Sequence, residues 1–101
     1  MKQQKSWYKE LHRAIAEVLF RHDPVGIASE ENADEYEPEA RTILAKLDSC
    51  RSTEDVLWVV HKDFQGWFTP EIAGPRERYR EAAEEIWRLW RLRNRRGKGP
   101  S

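Results

Sequence analysis

Apolar residues recur at three- and four-residue spacing along four stretches of this chain, separated by intervals rich in proline, glycine and acid. Trp7, Leu11, Ala14, Ile15, Val18 and His22 share one helical face, predicting a first helix over 6–22 with Ser6 as N-cap. Phe20 falls on the opposite side, where it meets the following loop, solvent or a partner. Ala40, Ile43, Leu44 and Leu47 predict a short second helix over 38–47, too brief to persist alone. Ser52 opens a third in the pattern Ser-Thr-Glu-Asp, close to a capping box. Val56, Leu57, Val60, Phe64, Trp67 and Phe68 form its stripe, Trp58 points away, and the helix ends either at Gly66 or a turn later through the Trp67-Phe68 pair. The β-branched Val56, Val59 and Val60 admit a strand, but the acids before them and aromatics after them fit the helical period better. TPEIAGP reads as a loop. Pro75 then opens a last helix with Tyr79, Ala82, Ala83, Ile86 and Trp90 inward and Trp87 and Leu89 widening that face.

The longest interval without a helical period runs from Asp23 to Pro38, DPVGIASEENADEYEP. Pro24 fixes its own φ and drives Asp23 out of the helical region, so the first helix should stop by His22. Gly26 can take the positive φ of a tight turn, and Val25 and Ile27 can pin that turn to the core. Pro38 suits the first turn of the next helix, and Asp34, Glu35, Glu37 and Glu39 suit the positive end of its dipole. Asp23, Pro24, Gly26, Tyr36 and Pro38 are thus the structural residues of a long ordered loop. Beyond Leu92 the apolar period ceases, and RNRRGKGPS predicts a disordered basic tail over 94–101 behind a single domain over 1–93.

Charge changes this picture more than size does. The chain has 101 residues, 18 basic and 18 acidic, for a net charge of zero. Yet residues 28–55 hold nine acids against three bases, and residues 88–101 hold six bases and no acid. Partners are therefore to be sought from the distribution of charge rather than from its sum. The lone Cys50 cannot form an internal disulfide, no stretch has the length of an apolar span, and the N-terminus has no signal-peptide core, so cytoplasm is expected.

Candidate chemistry is sparse. His12 and His22 lie too far apart for one helical turn, His61 and Asp63 lack further ligands, and the acidic loop lacks the ladder of a calcium loop. His22 shares the inner face of its helix and should be part-buried and hydrogen-bonded. Cys50 fits a half-buried position between helices. No nucleophile elbow, phosphate loop or dinucleotide fingerprint occurs. No enzyme activity, cofactor or metal is expected. The Arg-rich tail offers a nucleic-acid reading, against which stand its scarcity of interleaved aromatics and the acidity of the chain elsewhere.

The segments Asp23-Pro24-Val25-Gly26-Ile27 and Asp34-Glu35-Tyr36-Glu37-Pro38-Glu39-Ala40 resemble the "DPIG…DEY(D)PE" pattern of small bacterial proteins of uncharacterised function, the YugE-like group. Phe64 and Trp67-Phe68 resemble the end of their third helix. The resemblance covers about residues 15–70 and implies a mostly helical protein; it supplies no catalytic residue. Some similar small proteins are encoded beside toxins, which by analogy makes an immunity-type role an expectation.

The expected architecture is all-α, a small four-helix bundle-like domain. The expected function is a non-enzymatic cytoplasmic protein-binding domain, immunity-type or regulatory, whose partner is another protein such as a toxin or a second copy. The alternative is a nucleic-acid accessory protein acting through the tail. Phe20 and Trp58 are the expected aromatic anchors, rimmed by Glu30, Glu31, Asp34, Glu35, Glu54 and Asp55.

Overall fold

Four amphipathic helices can bury their stripes together by closing a ring, and this chain does so. The computed structural model describes residues 2–24, 26 and 36–98, with side chains over 7–24, 26 and 36–92. The helices are α1 (Lys2–His22), α2 (Glu37–Lys46), α3 (Thr53–Trp67), the one-turn α4 (Pro70–Ala73) and α5 (Arg80–Lys98). Single 3₁₀ turns at Leu47–Ser49 and Arg76–Tyr79 lead out of α2 and into α5. The protein is all-α, with no strand among the described residues. α1 packs on α2, α2 on α3, α3 on α5 and α5 back on α1, while α4 sits against α3.

The core is built from most of the predicted stripe positions and several others. Leu11, Ile15 and Val18 of α1, Ala40, Ile43 and Leu44 of α2, Val56, Leu57, Val60 and Phe64 of α3, and Ala82, Ala83, Ile86 and Trp90 of α5 are all buried. Leu19 and Val59 join them, because each helix touches two neighbours and so buries more than a single narrow stripe. At the centre three fully buried rings meet: Phe64 lies 5.9 Å from Tyr36 and 5.0 Å from Tyr79 between centroids. Full burial of such a side chain contributes about 1.5–3 kcal/mol.

The two buried tyrosines also pin the two irregular connections. Tyr36 donates its hydroxyl proton to Asp23 Oδ1 at 2.7 Å, tying the end of the first connection to its beginning. Tyr79 donates to the carbonyl of Ala73 at the end of α4. Pro24 stops α1 as expected: Asp23 takes φ 47°, and its N–H closes the helix on Leu19 O at 2.8 Å, an αL cap. Gly26 follows at φ 72° and donates to Asp23 O at 3.1 Å. Residues 25 and 27–35, including Val25, Ile27, Glu30, Glu31, Asp34 and Glu35, lie outside the described residues, and with them the middle of the expected ordered loop.

Several local expectations differ from the structure. α1 begins at Lys2, so Ser6 lies within it instead of capping it. Ser52 does cap α3, accepting from Asp55 N at 3.2 Å. Trp67 is 47% exposed, since its indole N–H reaches Thr42 Oγ1 at 3.4 Å and draws the ring over the edge of the α2–α3 contact. Phe68 stacks on Phe64 at 5.7 Å instead. Of the two ends expected for α3, the later one holds: Gly66 is helical and the helix continues to Trp67. TPEIAGP holds a helical turn because Thr69 caps it, accepting from Ile72 N, and Pro70 opens it. α5 continues through 94–98, the first residues of the expected tail.

Gly26 has open space around a Cβ, so backbone conformation alone decides the effect of a side chain there. Gly26→Val, a β-branched residue at positive φ, should destabilise the fold by roughly 1–3 kcal/mol in urea unfolding. An unchanged midpoint would show that the turn does not depend on this conformation.

Candidate functional site

The expected anchors part company in three dimensions. Phe20 is half-buried and packs against the core from α1. Trp58 stands on α3, which is not among the helices that α1 packs against, and it is 57% exposed. A core-filling role for Trp58 is therefore excluded, and Phe20 does not share its surface. Lys62, one turn on, places its ammonium 5.6 Å from the centre of the Trp58 ring.

The acids expected to rim Trp58 have internal partners. Asp55 Oδ2 accepts from the Arg51 N–H at 2.9 Å while its own N–H is held by Ser52, so it serves the start of α3. Glu54 accepts from Arg80 Nη1 at 2.8 Å, and Arg80 also grips Glu77 at 2.7 Å. These bonds raise the guanidinium above its ordinary value, first through Glu77 and then through Glu54. Both described rim acids, Glu54 and Asp55, thus have partners within the fold while their side chains stay exposed. The loop acids Glu30, Glu31, Asp34 and Glu35 lie outside the described residues.

The Glu54–Arg80 pair has a consequence for the surface. It places Trp58, one turn beyond Glu54, on the outer side of the α3–α5 pair. Along α5 the same side carries Arg80, Glu84, Trp87 and Arg91 at helical spacing. Glu84, Trp87, Arg88, Arg91 and Leu92 of α5, with Thr53 at the start of α3, line an open cleft of about 600 Å³. A second, of about 220 Å³, lies between α1 and α5, bordered by Ala14, Glu17, Val18, Arg21, Glu85 and Leu89 together with Arg88 and Leu92. Arg88 and Leu92 are the ridge between the two. The sequence places Arg88 and Leu92 on the last helix but carries no sign of the clefts on either side of them, which form against α1 and α3.

The histidines serve separate helix contacts. His12 Nε2 donates to Glu37 O at 2.9 Å, joining α1 to the start of α2. His61 Nε2 donates to Gly74 O at 2.9 Å with its ring 5.6 Å from Tyr79. His22 is part-buried and hydrogen-bonded as expected, its Nε2 at 2.8 Å from Glu85 Oε2, while Arg21 binds Oε1 of the same carboxylate at 2.8 Å. Asp63, buried on α3, accepts from Thr42 and lies 3.6 Å from Lys46 Nζ, facing α2 instead of His61. Among the described residues no three His, Cys, Asp or Glu side chains gather as metal ligands. Cys50 is buried, which pushes its thiol up. Arg78 places Nη1 at 3.0 Å from Pro24 O, 3.2 Å from Ile72 O and 3.1 Å from Ala73 O, clasping the two irregular connections.

No described helix is long and apolar enough to cross a membrane. In comparisons with known proteins, the chain matches no family model, no curated protein and no solved structure.

The Arg21–Glu85–His22 staple yields a pH dependence. Hydrogen bonds from Arg21 and then His22 draw the Glu85 carboxyl from its ordinary 4.5 to about 2. A depressed carboxyl pKa adds stability above the unfolded value, and that stability is lost as pH falls toward the folded one. Stability should therefore decline between pH 4.5 and about 2, and Glu85→Gln should flatten that part of the curve. The effect should be modest, because Arg21 is more than half exposed. Parallel urea-unfolding profiles for the two proteins would remove the staple from any account of stability.

Proposed function

We propose that this protein is a non-enzymatic cytoplasmic protein-binding domain whose contact face is the outer side of α3 and α5. The observation that carries this reading is Trp58: a tryptophan 57% exposed on a helix whose opposite face buries Val56, Val60, Asp63 and Phe64. Leaving so large an apolar ring in water is unfavourable unless a partner covers it, and tryptophan is the residue most enriched among interface hot spots. Trp87 and the cleft beyond it continue the same face. Three histidines turned to separate structural bonds support the non-enzymatic part of the proposal. The immunity-type role, with a toxin as partner, rests on the likeness to the YugE-like group alone.

A second reading has its own observation. Arg88, Arg91, Arg93, Arg95, Arg96 and Lys98 follow one another on α5 with no acid among them, a feature that also suits nucleic acid. Salt-dependent retention on DNA or RNA would favour it.

Trp58→Ala decides whether the ring serves the fold or a partner. Trp58 is 57% exposed and its ring carries the Lys62 ammonium, so the substitution should cost less than about 2 kcal/mol, short of the loss at a core tryptophan. A photo-crosslinking residue at position 58, in cells that make the protein, should give one discrete protein adduct. Loss of several kcal/mol in the melt, or absence of any adduct, would defeat the proposal.

A further inference from the structure

We infer that the C-terminal half of α5 is the docking surface for an acidic amphipathic helix carried by another protein. The inference rests on the protein-binding reading and names the chemistry of the partner. Leu92 is 54% exposed and borders both clefts with Arg88. One cleft is walled by Trp87 and Thr53, the other by Val18, Ala14 and Leu89. A leucine ridge between two grooves is the shape that takes apolar side chains at i and i+3 or i+4 of a partner helix.

Charge decides what flanks those side chains. Residues 88–98 carry six bases and no acid. Among the described side chains, Arg21 and Arg80 form ion pairs, whereas Arg88 and Arg91 form none. Cations near a helix C-terminus compensate its dipole, but that effect is confined to the last turn. α5 ends at Lys98, so Arg88 and Arg91 lie too far back for the dipole to account for them. They are positioned to receive carboxylates.

A nucleic acid fits this surface less well. Its phosphates would track a groove that also holds Glu84 on one side and Glu17 and Glu85 on the other. A partner helix sets each carboxylate separately and can place it against an arginine, and its apolar stripe uses Leu92, which a phosphate chain does not. A second copy joined symmetrically through α5 would oppose six bases with six, so self-association by this face is disfavoured.

The test uses the full chain and three labelled probes in anisotropy titrations. The first is a peptide of about 18 residues, five helical turns, with leucines on one stripe and glutamates beside it. The second has serine in place of each leucine, and the third is duplex DNA. The leucine peptide should bind at least about tenfold more tightly than the serine peptide, which has the same charge. Leu92→Asp should weaken it by about tenfold or more, and Arg88→Glu with Arg91→Glu should weaken it and reduce its salt dependence. All three residues are exposed, so unchanged melts of the variants confirm that the fold is intact. Equal binding of the two peptides, tighter binding of DNA, or no response to Leu92→Asp would each overturn the inference. If Trp58→Ala abolished peptide binding while the α5 variants did not, the α5 site would be wrong and the protein-binding reading would stand.

Discussion

Tyr36 and Tyr79 both meet the ring of Phe64 in the centre of the protein, and each carries a hydroxyl that must find a partner away from water. Those partners are Asp23 and the Ala73 carbonyl, one in each irregular connection. The arrangement couples packing to topology. A buried aromatic is worth its area only if its polar end is satisfied, and satisfying it fixes where the connections run. Arg78 extends the same constraint outward by binding carbonyls from both connections. The positive φ of Asp23, Gly26 and Gly74 lets the backbone present those oxygens. A Cβ on Gly74 would stand 2.5 Å from the Arg78 guanidinium carbon, so the glycine also makes room for the clasp.

The ring of helices then determines what remains for function. Each main helix uses two flanks for its neighbours, so little apolar surface should be left outside. The large apolar side chains left exposed are Tyr8 on α1, Trp58 and Trp67 on α3, Ile72 on α4 and Leu92 on α5, while Trp87 of α5 is half-buried against the core. Charged residues close to the aromatic ring have been recruited for the fold: Glu54 holds Arg80, and Asp55 holds the start of α3. Arg88 and Arg91, about two and three turns beyond Arg80 along α5, form no ion pair among the described side chains. The acids expected to rim Trp58 thus serve the fold at Glu54 and Asp55, whereas Glu84 on α5, like Arg88 and Arg91, forms no ion pair among the described side chains.

Helix existence, the inner faces and the stop at Pro24 were determined by the sequence, because each rests on interactions within a few residues. A stripe at period 3.6 identifies its own buried side, and a proline excludes its own helical hydrogen bond wherever it falls. The capping of α3 by Ser52 was legible for the same reason. His22 could be placed as part-buried from its helical face, although its partner Glu85 lies 63 residues away and left no local trace. What only the tertiary structure decided was every property that depends on a second helix. Those properties include the second flank that buries Leu19 and Val59, the separation of Phe20 from Trp58, the internal use of Glu54, and the clefts on either side of Leu92. Periodicity assigns a side chain to a face of its own helix, but whether that face is covered depends on where the neighbouring helix ends.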